Sequence, residues 1–172
     1  MKNKVISIVI AMCFALSGCK AAGGTAGVDQ QRKTYTKEEI VFLFKDNRDS
    51  FNTVFEIIIN DEDFFEKGSN VLDDGDAYIQ STKDQNLELF SDSDRQEIVS
   101  FFEQYEPYCV TYDTSQKYIK ITFIGSGEHE GFTLQHWINQ DDLTGLDEYL
   151  SYLRQWYVVE AMPDGWYLAY TR

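Results

Sequence analysis

Trp156-Tyr157-Val158-Val159-Glu160-Ala161-Met162-Pro163-Asp164-Gly165-Trp166-Tyr167-Leu168-Ala169-Tyr170-Thr171 reads as one β-hairpin. Apolar and aromatic residues run on either side of a four-residue turn in which proline presets the second position. Glycine then supplies the left-handed residue that closes a type I turn with a bulge. The turn fixes the register. With Met162 opposite Trp166, one face collects Trp156, Val158, Met162, Trp166, Leu168 and Tyr170. The other face holds Tyr157, Val159, Ala161, Tyr167, Ala169 and Thr171. The first face is greasier and is expected to pack on helices. The likeness of Trp156-Tyr157-Val158-Val159 to Trp166-Tyr167-Leu168-Ala169 comes from two arms of one hairpin, and is no internal repeat.

Upstream of the hairpin the period of two continues. Tyr108 to Asp113 and Lys117 to Ile124 read as strands joined by Thr114-Ser115-Gln116, with Ile119, Ile121 and Phe123 alternating against Tyr118, Lys120 and Thr122. After the turn Gly125 to Gly131, a third strand covers Phe132 to Ile138. It places Phe132, Leu134 and His136 on one side and Thr133, Gln135 and Trp137 on the other. Asn139 to Tyr152 is a connection with a helical turn or two near Leu146 to Leu150.

Before Pro107 the period is helical. Thr36-Lys37-Glu38-Glu39 has the form of a capping box, and Tyr35 is placed to staple against Ile40. One long helix is expected to follow, because Ile40, Leu43, Phe44, Phe51, Val54, Phe55, Ile58 and Ile59 recur at three- and four-residue steps. A second helix starts from the caps in Ser91-Asp92-Ser93-Asp94, shows Ile98, Phe101, Phe102 and Tyr105 on one face, and stops at Pro107. Between the two helices, Val71 to Gln80 and Asn86 to Phe90 read as short strands or as loop. The expected fold class is α+β, with two N-terminal helices packed on one face of an antiparallel β-meander of about five strands. About 137 ordered residues bury roughly two-thirds of their surface, so the fold needs neither metal nor disulfide.

The chain has 172 residues, 43% hydrophobic and 15% aromatic, which suits one globular domain. Fifteen Lys and Arg face 29 Asp and Glu, a formal charge of −14 that repels phosphate backbones and excludes nucleic acid as a partner.

The address lies at the start. Met1-Lys2-Asn3-Lys4 is basic, and Val5 to Leu16 is a run of twelve weakly polar to apolar residues. A spanning helix needs about 20 apolar residues and a secretory signal roughly 7 to 15, so the length reads as a signal peptide. Leu16-Ser17-Gly18-Cys19 resembles the lipobox of bacterial lipoproteins at every position. That resemblance covers about the first twenty residues. It implies diacylglyceryl transfer to the sulfur of Cys19 and cleavage after Gly18, which divides the chain into a signal peptide (1–18), a flexible tether (19–34) and one domain (35–172). Each buried methylene contributes about 0.8 kcal/mol, so two acyl chains hold durably where one holds marginally. The expected location is the extracytoplasmic side of the cell membrane, with the membrane reached through lipid on Cys19.

Loss of Lys2 and Lys4 leaves 13 basic and 29 acidic residues, or −16. The 14 residues from Lys20 to Lys33 span about 20 Å as a coil. That clears the Debye length of about 8 Å over which anionic headgroups act. Cys13 leaves with the signal and Cys19 takes lipid, so Cys109 remains alone, either a buried inert thiol or a nucleophile. In general style the mature part is similar to small, uncharacterised lipoproteins of Gram-positive bacteria in which a helix precedes a Trp- and Tyr-rich meander. That likeness transfers no residue roles.

Candidates for chemistry are few. Gly125-Ser126-Gly127 with His129 or His136 lacks the spacing of a nucleophile elbow. Glu128-His129-Glu130 with His136 offers ligand types without a third imidazole, and Asp73-Asp74-Gly75-Asp76 lacks the rest of a twelve-residue calcium loop, so neither metal nor cofactor is expected. Paired carboxylates for hydrolysis cannot be located in a chain with 29 acids. The feature left over is the second sheet face, where Tyr118, Trp137, Tyr157 and Tyr167 stand with Lys120, Thr133 and Gln135. If open, it stacks on sugar rings or seats a protein; a helix or the Asn139–Tyr152 segment covering it is the alternative. The sequence therefore points to a non-enzymatic binding module for a protein or glycan. An immunity-type protein that blocks a basic toxin, and a small hydrolase with an acidic site, are the alternatives.

Overall fold

A computed structural model of the chain describes residues 32–62, 64, 77–113, 118–138 and 143–171. The chain divides into two compact units, Met1–Gln30 and Gln31–Arg172, and every described residue belongs to the second. The signal-peptide run, Cys19, the acidic stretch Asp73–Asp76 and the turn Thr114–Gln116 lie outside the described residues.

Two helices open the domain, α1 over Lys37–Asp46 and α2 over Arg48–Asn60. The capping box is formed, with the Thr36 side chain accepting from the Glu39 N–H and the Glu39 carboxylate accepting from the Thr36 N–H at 2.7 Å. The single long helix expected here is interrupted. Asn47 turns its side-chain amide back onto the Leu43 carbonyl at 2.9 Å and takes a non-helical backbone, so the chain bends between Phe44 and Phe51 and brings their rings to 5.3 Å. Tyr35 is buried against Phe123 rather than serving only as a staple, and its hydroxyl donates to the Tyr105 carbonyl.

The segment Asn86–Phe90, read as a short strand or as loop, is a 3-10 turn over Gln85–Leu89. The Asp84 carboxylate caps it by accepting from the Asn86 N–H, and Asn86 donates to the Tyr78 carbonyl at 2.7 Å. Helix α3 covers Asp92–Tyr105, capped by the Ser91 hydroxyl. It ends where Glu106 turns left-handed, at φ 45°, before Pro107.

Six strands form one antiparallel sheet: β1 (Ala77–Ile79), β2 (Cys109–Asp113), β3 (Tyr118–Ile124), β4 (Gly131–Trp137), β5 (Tyr157–Ala161) and β6 (Trp166–Thr171). Their spatial order is β1-β2-β3-β4-β6-β5, so the last hairpin adds to β4 through β6. The fold is α+β with the N-terminal helices on one sheet face; β1 falls in the Val71–Gln80 segment read as short strand or loop, and makes the strands six where about five were expected.

The hairpin register holds. Ala161 pairs with Tyr167 and the Met162 N–H donates to the Trp166 carbonyl. Val158, Trp166, Leu168 and Tyr170 accordingly join the core beneath the helices. Two details differ from expectation. Trp156 is 59% exposed, because it belongs to the turn before β5 rather than to the strand. Asp164, expected in the right-handed region of a type I turn, is left-handed at φ 57° and is followed by Gly165 at φ 78°.

Phe51 sits at the middle of the main core, with its ring 5.0 Å from Phe101, 5.4 Å from Tyr105 and 6.2 Å from Trp166. The core continues through Ile119, Ile121, Phe123, Phe132 and Leu134, all fully buried on the inner sheet face. A fourth helix, α4 (Leu143–Leu153), lies on the opposite face and is longer than the turn or two expected. No helix among the described residues is long and apolar enough to cross a membrane.

Candidate functional site

The outer sheet face was the sequence-predicted surface, and α4 roofs part of it. Tyr118 and Trp137 are buried at 7% and 9% exposure, and together with Tyr149, Leu150 and Leu153 of α4 they make a second hydrophobic cluster. The Tyr149 ring lies 4.8 Å from Tyr118 and 5.4 Å from Trp137, and its hydroxyl donates to the Gln135 side chain at 2.7 Å. Tyr157 and Tyr167 are half-buried at the margin of the same cluster. Thr133 and Gln135 are buried as well, and of the polar residues expected on a wet surface Lys120 keeps partial exposure. The four rings are brought together as predicted, but they are joined into packing and do not form an open aromatic platform. The missing signal was amphipathic: Leu146, Tyr149, Leu150 and Leu153 recur at helical spacing in the segment between β4 and β5.

The candidate nucleophile is a hairpin loop. The Ser126 N–H donates to the Tyr35 carbonyl and the Gly125 N–H to the Glu130 carbonyl, which closes the β3–β4 turn around the start of the domain. Gly125 is required there, since a Cβ would stand 2.1 Å from the His129 carbonyl oxygen. His129 packs edge-on to Phe132 and Tyr170, whereas His136 lies between Phe55 and Trp166. From Gly131 to His136 is roughly 16 Å of strand, so the two imidazoles belong to different surroundings. No group of three or more potential metal ligands occurs among the described residues. Cys109 is a buried thiol, 3.8 Å from the Thr111 hydroxyl.

Exposed acids occur around the domain, with Glu128 and Glu130 in the β3–β4 turn, Asp147 and Glu148 on α4, and the larger set on the helix side. Glu38, Glu39 and Asp46 of α1, Asp49 and Glu56 of α2, and Asp92, Glu97 and Glu103 of α3 are exposed. Several of the cations beside them are already engaged. Lys37 contacts Glu160 at 2.6 Å, Arg48 contacts Asp164 at 3.0 Å and Arg95 contacts Asp92 at 3.5 Å. Lys37 and Glu160 share their contact with the Tyr170 hydroxyl, which donates to Glu160 at 2.6 Å. The Lys37 ammonium, and after it the Tyr170 hydroxyl, hold the Glu160 carboxyl below its usual value.

Between α2 and α3 opens a cavity of about 170 Å³. Asp49, Ser50 and Thr53 line it from α2, Glu97, Ser100 and Gln104 from α3, and Val54, Phe101 and Tyr105 contribute apolar surface. Two carboxylates, four hydroxyls with that of Tyr105 included, and an amide, without a lysine or arginine in the lining, suit a cationic guest side chain. Sequence reasoning missed this cavity, because Asp49 and Glu97 are 48 positions apart and each reads as a solvated helix position. Compared with known proteins, the chain matches no family model, no curated protein and no solved structure.

Proposed function

We propose that this chain is a lipid-anchored, non-enzymatic binding module on the extracytoplasmic side of the cell membrane, held through lipid on Cys19. The observation that carries the reading is Leu16-Ser17-Gly18-Cys19 behind a basic start and a twelve-residue apolar run. The excess of exposed acids over bases on the helix layer supports a protein partner with basic side chains, because an excess of one sign steers and selects the opposite sign. The roofed rings of the outer sheet face give less support to a glycan stacked there.

An immunity-type role, in which the helix layer blocks a basic protein, is the specific form of this reading that the cavity between Asp49 and Glu97 favours. Affinity capture from the native envelope with the soluble domain tests it. The expected result is a basic protein whose capture weakens as salt rises and is lost in the Asp49→Asn, Glu97→Gln double variant. Capture that ignores both salt and the double substitution contradicts the helix layer as the binding face.

A further inference from the structure

The cavity between α2 and α3 has a polar rim and a buried floor. Asp49 and Thr53 stand four residues apart on α2, and Glu97, Ser100 and Gln104 stand three and four apart on α3, so each helix turns one polar stripe to the opening. These five are exposed. Val54, Phe101 and Tyr105 line the same space and are buried, at 2%, 3% and 2% exposure. Their one polar side-chain atom is the Tyr105 hydroxyl, which is buried and has no hydrogen-bond partner among the described residues. A hydroxyl left in that state weakens the fold, and a guest that hydrogen-bonds to it recovers the loss.

Charge at the rim selects the guest. Asp49 and Glu97 enter no ion pair among the described residues, and the cations nearest to them in sequence are held elsewhere. Arg48 is 3.0 Å from Asp164, while Arg95 donates to the Leu87 carbonyl at 3.0 Å and to the Phe90 carbonyl at 3.3 Å. A metal ion is poorly served, since no group of three or more ligand side chains occurs among the described residues. An apolar guest leaves the hydroxyl unpaired.

Size and shape narrow the choice to one cation. The cavity holds about 170 Å³, and an engineered protein cavity of about 150 Å³ takes up one benzene ring, so a flat guanidinium with a short length of stem fits. A guanidinium is weakly hydrated and stacks on ring faces such as those of Phe101 and Tyr105, whose centroids are 4.9 Å apart. Its N–H donors spread over a fork and reach rim and floor together. The donors of an ammonium radiate from a single, strongly hydrated atom.

We infer that the cavity is a socket for one arginine side chain of the partner protein, its guanidinium set between the Asp49 and Glu97 carboxylates and one N–H donated to the Tyr105 hydroxyl. This rests on the reading of the helix layer as the face for a basic protein. It makes Tyr105 the residue that selects arginine over lysine.

The test is an NMR titration of the full chain, in non-ionic detergent, with a capped glycine-arginine-glycine peptide and with the same peptide carrying lysine. The expected result is saturable shifts of the Thr53, Ser100 and Gln104 amides, and binding about tenfold tighter for the arginine peptide in wild type, a preference lost in Tyr105→Phe. Glu97→Gln weakens both peptides. Thermal unfolding of Tyr105→Phe is expected at or above the wild-type midpoint, because the hydroxyl has no partner to lose. Absence of saturable shifts, equal binding of the two peptides to wild type, a preference that survives Tyr105→Phe, or a lowered midpoint in that variant overturns the socket. The broader reading fails separately. Salt-sensitive capture of a basic protein without seating of the arginine peptide overturns the socket alone, whereas seating without any captured basic protein upholds a guanidinium socket and overturns a protein as its source.

Discussion

The Trp166 indole N–H donates to the Asn52 side-chain oxygen at 2.9 Å, and Asn52 uses its amide nitrogen on the Asp164 carboxylate at 3.3 Å. One α2 residue thus holds both a fully buried ring and the turn that precedes it. Asn52→Ala leaves the indole N–H unpaired beneath the helices, and the loss of a buried partner costs about 1–3 kcal/mol. Urea unfolding followed by circular dichroism is expected to show a lower midpoint with unchanged slope. Asn52→Asp keeps an acceptor for the indole but sets a second carboxylate beside Asp164, and is also expected to destabilise.

Phe51 joins the two layers, because its ring meets Phe44 of α1, Phe101 and Tyr105 of α3, and Phe123 and Trp166 of the sheet. Truncation to Ala removes transfer energy and opens a void that five rigid rings cannot fill, a loss of about 3–5 kcal/mol. Thermal unfolding of Phe51→Ala should show the larger drop in comparison with Phe42→Ala, since Phe42 is 67% exposed on α1 and its removal costs little.

Gly125→Ala forces a methyl group into the His129 carbonyl, which lies 2.1 Å from the Cβ position. Backbone has to move at the point where Tyr35 and Ser126 are joined by a main-chain hydrogen bond. The expected outcome is destabilisation well above that of Gly127→Ala, whose added Cβ meets open space and whose strain comes from its φ of 77° alone. Denaturation midpoints of the two variants check the order.

Glu160 is held below the usual carboxylate range by Lys37 first and Tyr170 second. The folded value lies under the unfolded one, so the stabilisation is present above the unfolded value and is lost as pH falls through the folded one. The side chain is 37% exposed, which limits the contribution to about 1 kcal/mol or less. Glu160→Gln should flatten the acid limb of the stability profile below about pH 4.5 and leave the region above pH 6 parallel to wild type.

The inner sheet face was legible in the sequence, because alternation in Ile119-Lys120-Ile121-Thr122-Phe123 and the Pro163-Asp164-Gly165 turn fix face and register locally. The capping box at Thr36 and the Ser91 cap were legible for the same reason: each is a bond between near neighbours. The interruption at Asn47 was not, since the choice of its side chain to bond the Leu43 carbonyl rather than water is made by the packing of Phe44 on Phe51. Left-handed Asp164 likewise depends on His136, Arg48 and Asn52, which are distant in sequence. For the site, the four rings Tyr118, Trp137, Tyr157 and Tyr167 were correctly set on one face, but periodicity says nothing of what lies over a face, and α4 decides that. The cavity between Asp49 and Glu97 is tertiary in the same sense.

The anchoring residue itself is the sharpest point of the account. Intact-mass and tandem mass spectrometry of the protein isolated from its native membrane should find a mature chain that starts at Cys19 and carries a diacylglyceryl group on its sulfur. A chain that retains residues 1–18, or one that starts elsewhere with an unmodified Cys19 thiol, contradicts it.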